Sequence, residues 1–218
     1  MVMKGQFLER PTLIPVGDEV MEGLSHRGTR RPPLLIVPPR PEEGSGMDHV
    51  VCAEVAWAAS QAGFPTLRFN FRGVGASQGK WGGTQAQLDE VLAALRLAQE
   101  NADCARVAVL TLGGSAWSAL ELSRTEPAIA ALCLVSPVGV DLPELARLSL
   151  PLSVVVAQDD QRLPRAGLSA AVGEAGGALD IIPGTDASFL RNLTEVGKAV
   201  VSWLQRLDPP VEHGEVEM

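Results

Sequence analysis

TLGGSAWSAL, residues 111–120, follows the apolar run RVAVLTL and carries it through Gly-Gly-Ser directly into a segment of helical composition. A strand that turns this sharply into a helix lifts its serine above the sheet. The glycine before the serine tolerates the bent backbone, and the N–H after it points where an oxyanion would form. In that geometry Ser115 is a nucleophile and Ala116 a backbone oxyanion donor. The same turn equally suits a serine that only caps the following helix. Either reading requires a buried strand before the turn and a covering helix after it.

Working outward, five more short apolar runs read as strands: residues 33–39, 66–71, 129–137, 152–160 and 179–184. Apart from TLRFNF, which alternates, they are mainly continuous in apolar character, as strands covered on both faces are. Longer segments of helical period separate them. Asp48 is placed to cap a helix reaching to about Ala62, where Gly63 suits a left-handed stop. Thr84 and Gln87 have capping-box spacing, ahead of a stripe of Leu88, Val91, Leu92 and Leu95. A last helix gathers Phe189, Leu193, Val196, Val200, Trp203 and Leu207 on one face.

The segments 5–15 and 18–26 lack a helical period and predict antiparallel strands ahead of the parallel part. The fold class is therefore α/β: a doubly wound, mostly parallel sheet with an antiparallel N-terminal edge. Residues 1–208 form one domain, and the acidic tail 209–218, with two prolines and little to bury, is expected to be mobile. Residues 138–151 are too short a connection for an inserted cap domain.

At 218 residues and 46% hydrophobic content the chain can bury one good core and hardly two. A net charge of −8 with scattered Lys and Arg excludes the basic footprint of a nucleic-acid or acidic-membrane binder. The N-terminal stretch has no apolar core of signal-peptide length, and no window approaches the roughly 20 apolar residues of a membrane span. A cytoplasmic protein is expected. Cys52, Cys104 and Cys133 have neither pairing nor ligand spacing and are read as reduced, buried side chains. No metal and no cofactor are expected.

RFNFRGVGASQGKW, residues 68–81, is a glycine-rich loop straight after a strand. A P-loop would need glycine at Val74 and Ser or Thr at Trp81, and a dinucleotide fingerprint would need a small residue at Gln78. Both phosphate readings fail. The loop reads instead as a turn in which Arg72 and Ser77 fix the backbone while Gly73, Gly75 and Gly79 supply the bends.

Taken together, the strand-RFNFRGVGxSxG loop and the later strand-G-x-S turn resemble the α/β-hydrolase superfamily, most of all its small, lidless bacterial predicted esterases or peptidases. The resemblance covers about residues 20–206. It implies a triad in the chain order Ser, Asp, His. Asp160, in VVVAQDDQRLP, stands where such proteins carry the acid, with Asp159 the adjacent alternative; either could instead be a solvated, helix-capping carboxylate. The histidine is missing. Where the family reads strand-PG-x-D-H-F, this chain reads IIPGTDASFL and puts Ala187 in the histidine's place.

A methyl group cannot accept a proton, and loss of the triad histidine costs about 10^6-fold in turnover. Of the three histidines, His26 lies in the early antiparallel region, His213 on the tail, and His49 follows a strand whose loop opens on the edge that carries Ser115. His49 is thus the possible substitute base, or simply a solvated first-turn residue. Two further departures concern the oxyanion hole. Pro38-Pro39-Arg40-Pro41 stands where related proteins carry His-Pro-His-Pro, removing N–H donors although Arg40 could bind an anion, and Trp117 replaces the last glycine of G-x-S-x-G.

Three functions follow as expectations. The first is a degenerate serine hydrolase with little or no esterase activity and a surviving binding role. The second is an active esterase or peptidase using an unusual base such as His49. The third is a protein-interaction domain presenting the acidic tail with exposed Arg40 or Trp81. The corresponding partners are a small ester or peptide ligand, or another protein. Substrate and oligomeric state are not legible in the sequence.

Overall fold

The computed structural model describes residues 8–208. Eight strands form one sheet: β1 (Arg10–Val16), β2 (Glu19–His26), β3 (Leu34–Val37), β4 (Thr66–Phe69), β5 (Val107–Leu112), β6 (Ile129–Val135), β7 (Leu152–Ala157) and β8 (Ala178–Ile182). Their order is β1-β2-β4-β3-β5-β6-β7-β8, with the β1–β2 and β2–β4 pairings antiparallel and the other five parallel. This is the expected doubly wound sheet with an antiparallel edge. The acidic tail 209–218 lies outside the described residues, as does His213.

Six helices cover the sheet: α1 (Val50–Gln61), α2 (Gly83–Ala102), α3 (Ala116–Leu122), α4 (Leu142–Ala146), α5 (Arg165–Glu174) and α6 (Leu193–Leu207). Alternation within strands sorts side chains to the two faces. Leu35, Val37, Val107 and Val109 pack with Val91, Leu95, Ala119 and Leu168 on one side. Leu34, Ile36, Ala108 and Leu110 pack with Val51, Val55, Val196, Val200 and Trp203 on the other. Because both faces are buried, these strands read as unbroken apolar runs; each fully buried branched or aromatic side chain contributes about 1.5–3 kcal/mol of transfer free energy. Only α4 and its flanking loops join β6 to β7, so no cap covers the carboxyl edge. Among the described residues no helix is long and apolar enough to cross a membrane.

Several local expectations are corrected. Asp48 does not cap α1, because its carboxylate turns to the Arg68 guanidinium at 3.1 Å; His49 takes the cap, its Nδ1 accepting from the Val51 N–H at 3.2 Å. Thr84 and Gln87 form no capping box: the N-cap of α2 is Gly82, two residues earlier, with no side-chain cap, and buried Gln87 donates to Ser118 Oγ at 3.1 Å. Phe189 is buried but precedes α6, in a left-handed turn with φ 57°. Cys52 and Cys133 are buried free thiols as expected, and burial pushes the Cys52 thiol up to about 12. Cys104 is only half-buried.

Where the strand order reverses, β3 lies between β4 and β5, and the connections leaving β3 and β5 run to opposite faces. That divergence opens the crevice in which doubly wound proteins bind ligands. Here the crevice is flanked by the β3–α1 loop, residues 38–49, and the Gly113–Ser115 turn.

Candidate active site at the carboxyl edge of the sheet

The chain leaves β5 through one 3-10 turn, Gly113–Ser115, that runs straight into α3. Gly113, at φ 64°, makes the reversal that a side chain would resist. Ser115 itself has φ −70° and ψ −11°, ordinary helical values without strain. The sequence predicts a serine standing clear of the sheet; the structure buries it completely. Its Oγ donates to the Pro38 carbonyl at 2.6 Å and does not cap α3. The β3–α1 loop closes over the turn and brings a backbone acceptor to the hydroxyl, which explains both facts.

Ala116 differs from its expected role as well. Its N–H closes the 3-10 turn on the Gly113 carbonyl, so it is not aimed at a developing oxyanion. The Gly114 N–H of the same turn is taken up within the protein. Glu43, on a three-residue 3-10 turn Pro41–Glu43, accepts that N–H on Oε1 at 3.0 Å while Arg40 Nε holds the same oxygen at 3.2 Å. The neighbouring Glu42 accepts from the Trp81 indole, which packs edge-on against Phe71 at 5.2 Å. Arg40 and half-buried Trp81, expected as exposed contacts, are therefore engaged within the chain. Trp117 is half-buried on α3.

Asp160 follows β7 and is buried. Arg162 grips both its oxygens, Nε to Oδ1 at 2.9 Å and Nη2 to Oδ2 at 2.8 Å, and the Arg162 N–H adds a third bond at 3.0 Å. Burial alone would raise the pKa of this carboxyl; the Arg162 side chain and backbone N–H, with help from the Ser136 hydroxyl, outweigh it and hold the group below its ordinary value. Asp159, the alternative acid, is exposed.

Ala187 lies in the same shallow cleft as Asp160, Arg162, Asp186 and Ser188. The fold thus brings Asp160 and Ala187 to one cleft. A guanidinium, not an imidazole, meets the carboxylate. Asp186 bends back on Ser188, accepting from both its N–H and its hydroxyl, and these bonds lower its pKa.

His49 borders the adjoining cleft with Ser45, Gly46, Val50 and Leu190, and the two clefts share Ser188. Burial lowers its pKa, opposed by the nearby Glu43 carboxylate. Its Nδ1 is occupied by the α1 cap. Among the described residues no hydrogen bond joins Ser115 to His49 or to Asp160. His26 is far removed in role, buried on β2 with Nδ1 at 2.9 Å from Thr66 Oγ1. Among the described residues no cluster of His, Cys, Asp and Glu forms a metal site.

Glu43 and Arg162 are the residues that sequence reasoning missed. Their only signals were a charged run after β3, RPEE, and a cation two positions beyond the expected acid.

No protein-family model matches the chain. An uncharacterized protein of Rickettsia prowazekii is 32% identical over 107 residues, which is 49% of this chain and 45% of that protein; the match thus spans under half of the relative's length. Among solved structures, an alpha-beta serine hydrolase homologue from Coxiella burnetii aligns with TM-score 0.75 at 24% identity, covering 93% of this chain and 98% of that one. A serine hydrolase without lid from Xanthomonas campestris aligns with TM-score 0.75 at 20% identity, covering 93% and 96%. An esterase from Pyrococcus furiosus aligns with TM-score 0.75 at 16% identity, covering 92% and 91%. At these identities the likeness establishes the fold: a small α/β-hydrolase fold without a lid.

Proposed function

Taking that fold as the premise, we propose that this chain is a degenerate serine hydrolase, one that binds a ligand at the carboxyl edge and hydrolyses esters slowly or not at all. The observation that carries the reading is the hydroxyl of Ser115, buried and donating to the Pro38 carbonyl at 2.6 Å. A carbonyl cannot accept the proton outright, so the oxygen stays a neutral alcohol and a poor nucleophile. Ala187 in the histidine's place, the Ala116 N–H closed onto Gly113, and Asp160 neutralised by Arg162 point the same way. Each of the three would have to change for acyl transfer to run.

A fluorophosphonate probe tests this directly, with Ser115→Ala as control. The expected result is no labelling above the control; rapid labelling that depends on Ser115 would overturn the reading.

One observation favours a second reading. Burial keeps the His49 imidazole neutral near pH 7, as a general base must be, at the end of the sheet where Ser115 lies. An esterase or peptidase using His49 predicts that His49→Ala abolishes p-nitrophenyl acetate turnover. Turnover that never exceeds background, or that survives the substitution, removes it.

A further inference from the structure

We propose that the Gly113–Gly114 backbone and the Arg40 guanidinium form a seat for a ligand carboxylate, and that the Glu43 side chain is its internal occupant, displaced when such a ligand docks. This deepens the binding role above by naming the ligand's chemistry. It rests on a different set of atoms from those that decide hydrolysis.

The seat is built rather than incidental. A Cβ on Gly113 would strike the Glu43 carboxylate, and one on Gly114 would strike the Arg40 guanidinium, so two missing side chains make the room. One carboxylate oxygen takes both the Gly114 N–H and Arg40 Nε. Arg162, itself paired with Asp160, and His49 both lie close enough to sense the Glu43 charge, and Glu42 on the same turn is held by the Trp81 indole. A charged donor and a backbone N–H converging on one oxygen select a carboxylate over a neutral carbonyl.

The occupant is held by a short, exposed element. Pro41–Glu43 buries none of its residues, and the turn ends at Gly44 with φ 80°. Moving it uncovers no core. The Arg40 and Glu43 side chains are themselves 39% and 28% exposed, so solvent and ligand reach the pair. An intramolecular carboxylate competes at high effective concentration, so the seat in the intact protein has reduced apparent affinity.

The test uses 15N-labelled protein, titrated with sodium acetate at constant ionic strength, with acetamide as the neutral isostere. In the Glu43→Ala variant the Gly114 amide resonance should shift saturably with acetate, at a concentration at least about tenfold below that needed in the unmodified chain. Acetamide should leave it unmoved, and adding Arg40→Ala should weaken the acetate response several-fold. If Glu43→Ala does not give a folded spectrum, Glu43→Gln, which keeps the shape without the charge, should show the same preference for acetate at a smaller gain. The proposal falls if the vacated variant shows no saturable Gly114 shift, if it responds equally to acetamide, or if its response matches that of the unmodified chain. The labelling experiment above is unaffected by any of these outcomes, so the two readings fail separately.

Discussion

Two glycine-rich connections leave adjacent parts of the same sheet edge, and they use their polar residues differently. After β4, every motif residue builds the loop. Gly73, Gly75 and Gly79 all have positive φ, and Ser77 bridges the Asn70 carbonyl and the Glu22 N–H. Arg72 reaches Glu90 at 2.9 Å and Glu19 at 2.7 Å. After β5, Ser115 and Ala116 are turned onto backbone carbonyls and the Gly114 N–H holds Glu43. A motif whose work is structural is satisfied inside its own neighbourhood. The polar groups of the turn after β5 are tied instead to the β3–α1 loop, far away along the chain.

The contrast can be broken most severely at Arg72. Glu90 is fully buried, and Arg72→Ala leaves its carboxylate without a counter-charge. The expected loss is about 3–5 kcal/mol in urea unfolding; a loss under 1 kcal/mol would mean that the loop after β4 is not the rigid element described here. At the other connection, Arg162→Ala should cost less, about 1–3 kcal/mol, because the exposed guanidinium leaves water to solvate part of what Asp160 loses. The same variant should move the Asp160 titration upward. Since its depressed pKa stabilises the fold above the ordinary carboxylate range and that stability is lost as pH falls through it, the variant should unfold less steeply with acid.

Ser115→Ala sharpens the comparison further. If the hydroxyl is structural, its removal orphans the Pro38 carbonyl and costs about 1 kcal/mol, with no change in ester turnover. A stability unchanged by the substitution, paired with a loss of turnover, would place Ser115 on the chemical side after all. The smallest effect concerns the histidines. His26 and His49 both have pKa values lowered chiefly by burial, so the unfolded chain binds more protons than the folded one below about pH 6.5. Stability should therefore fall as pH drops from 7 toward 5. His49→Asn, which keeps a cap acceptor but cannot protonate, should flatten part of that slope in a pH series of urea midpoints; an unchanged slope would assign the effect elsewhere.

The strands of the parallel sheet were legible because burial on both faces leaves a one-dimensional trace, an apolar run of characteristic length. The loop after β4 was legible for a related reason: glycines at 73, 75 and 79 mark backbone angles that few other residues adopt. Capping was misread where a nonlocal partner outcompeted the local one. Asp48 prefers Arg68, twenty positions away, to the nearby N–H of α1. Gln87 was drawn to Ser118 in the same way.

What the sequence determined by itself was the layered α/β architecture and the position of the turn that carries Ser115, since local order suffices for each. What only the tertiary structure decided was the state of the polar groups: that the Ser115 hydroxyl donates to the Pro38 carbonyl, that Arg162 holds Asp160, and that Glu43 occupies the donor at Gly114. Hydrogen bonds and ion pairs depend on distances of about 3 Å between residues far apart along the chain. Such distances are set by how the β3–α1 loop and the turns after β5 and β7 converge on one crevice, and no local pattern of residues records that convergence.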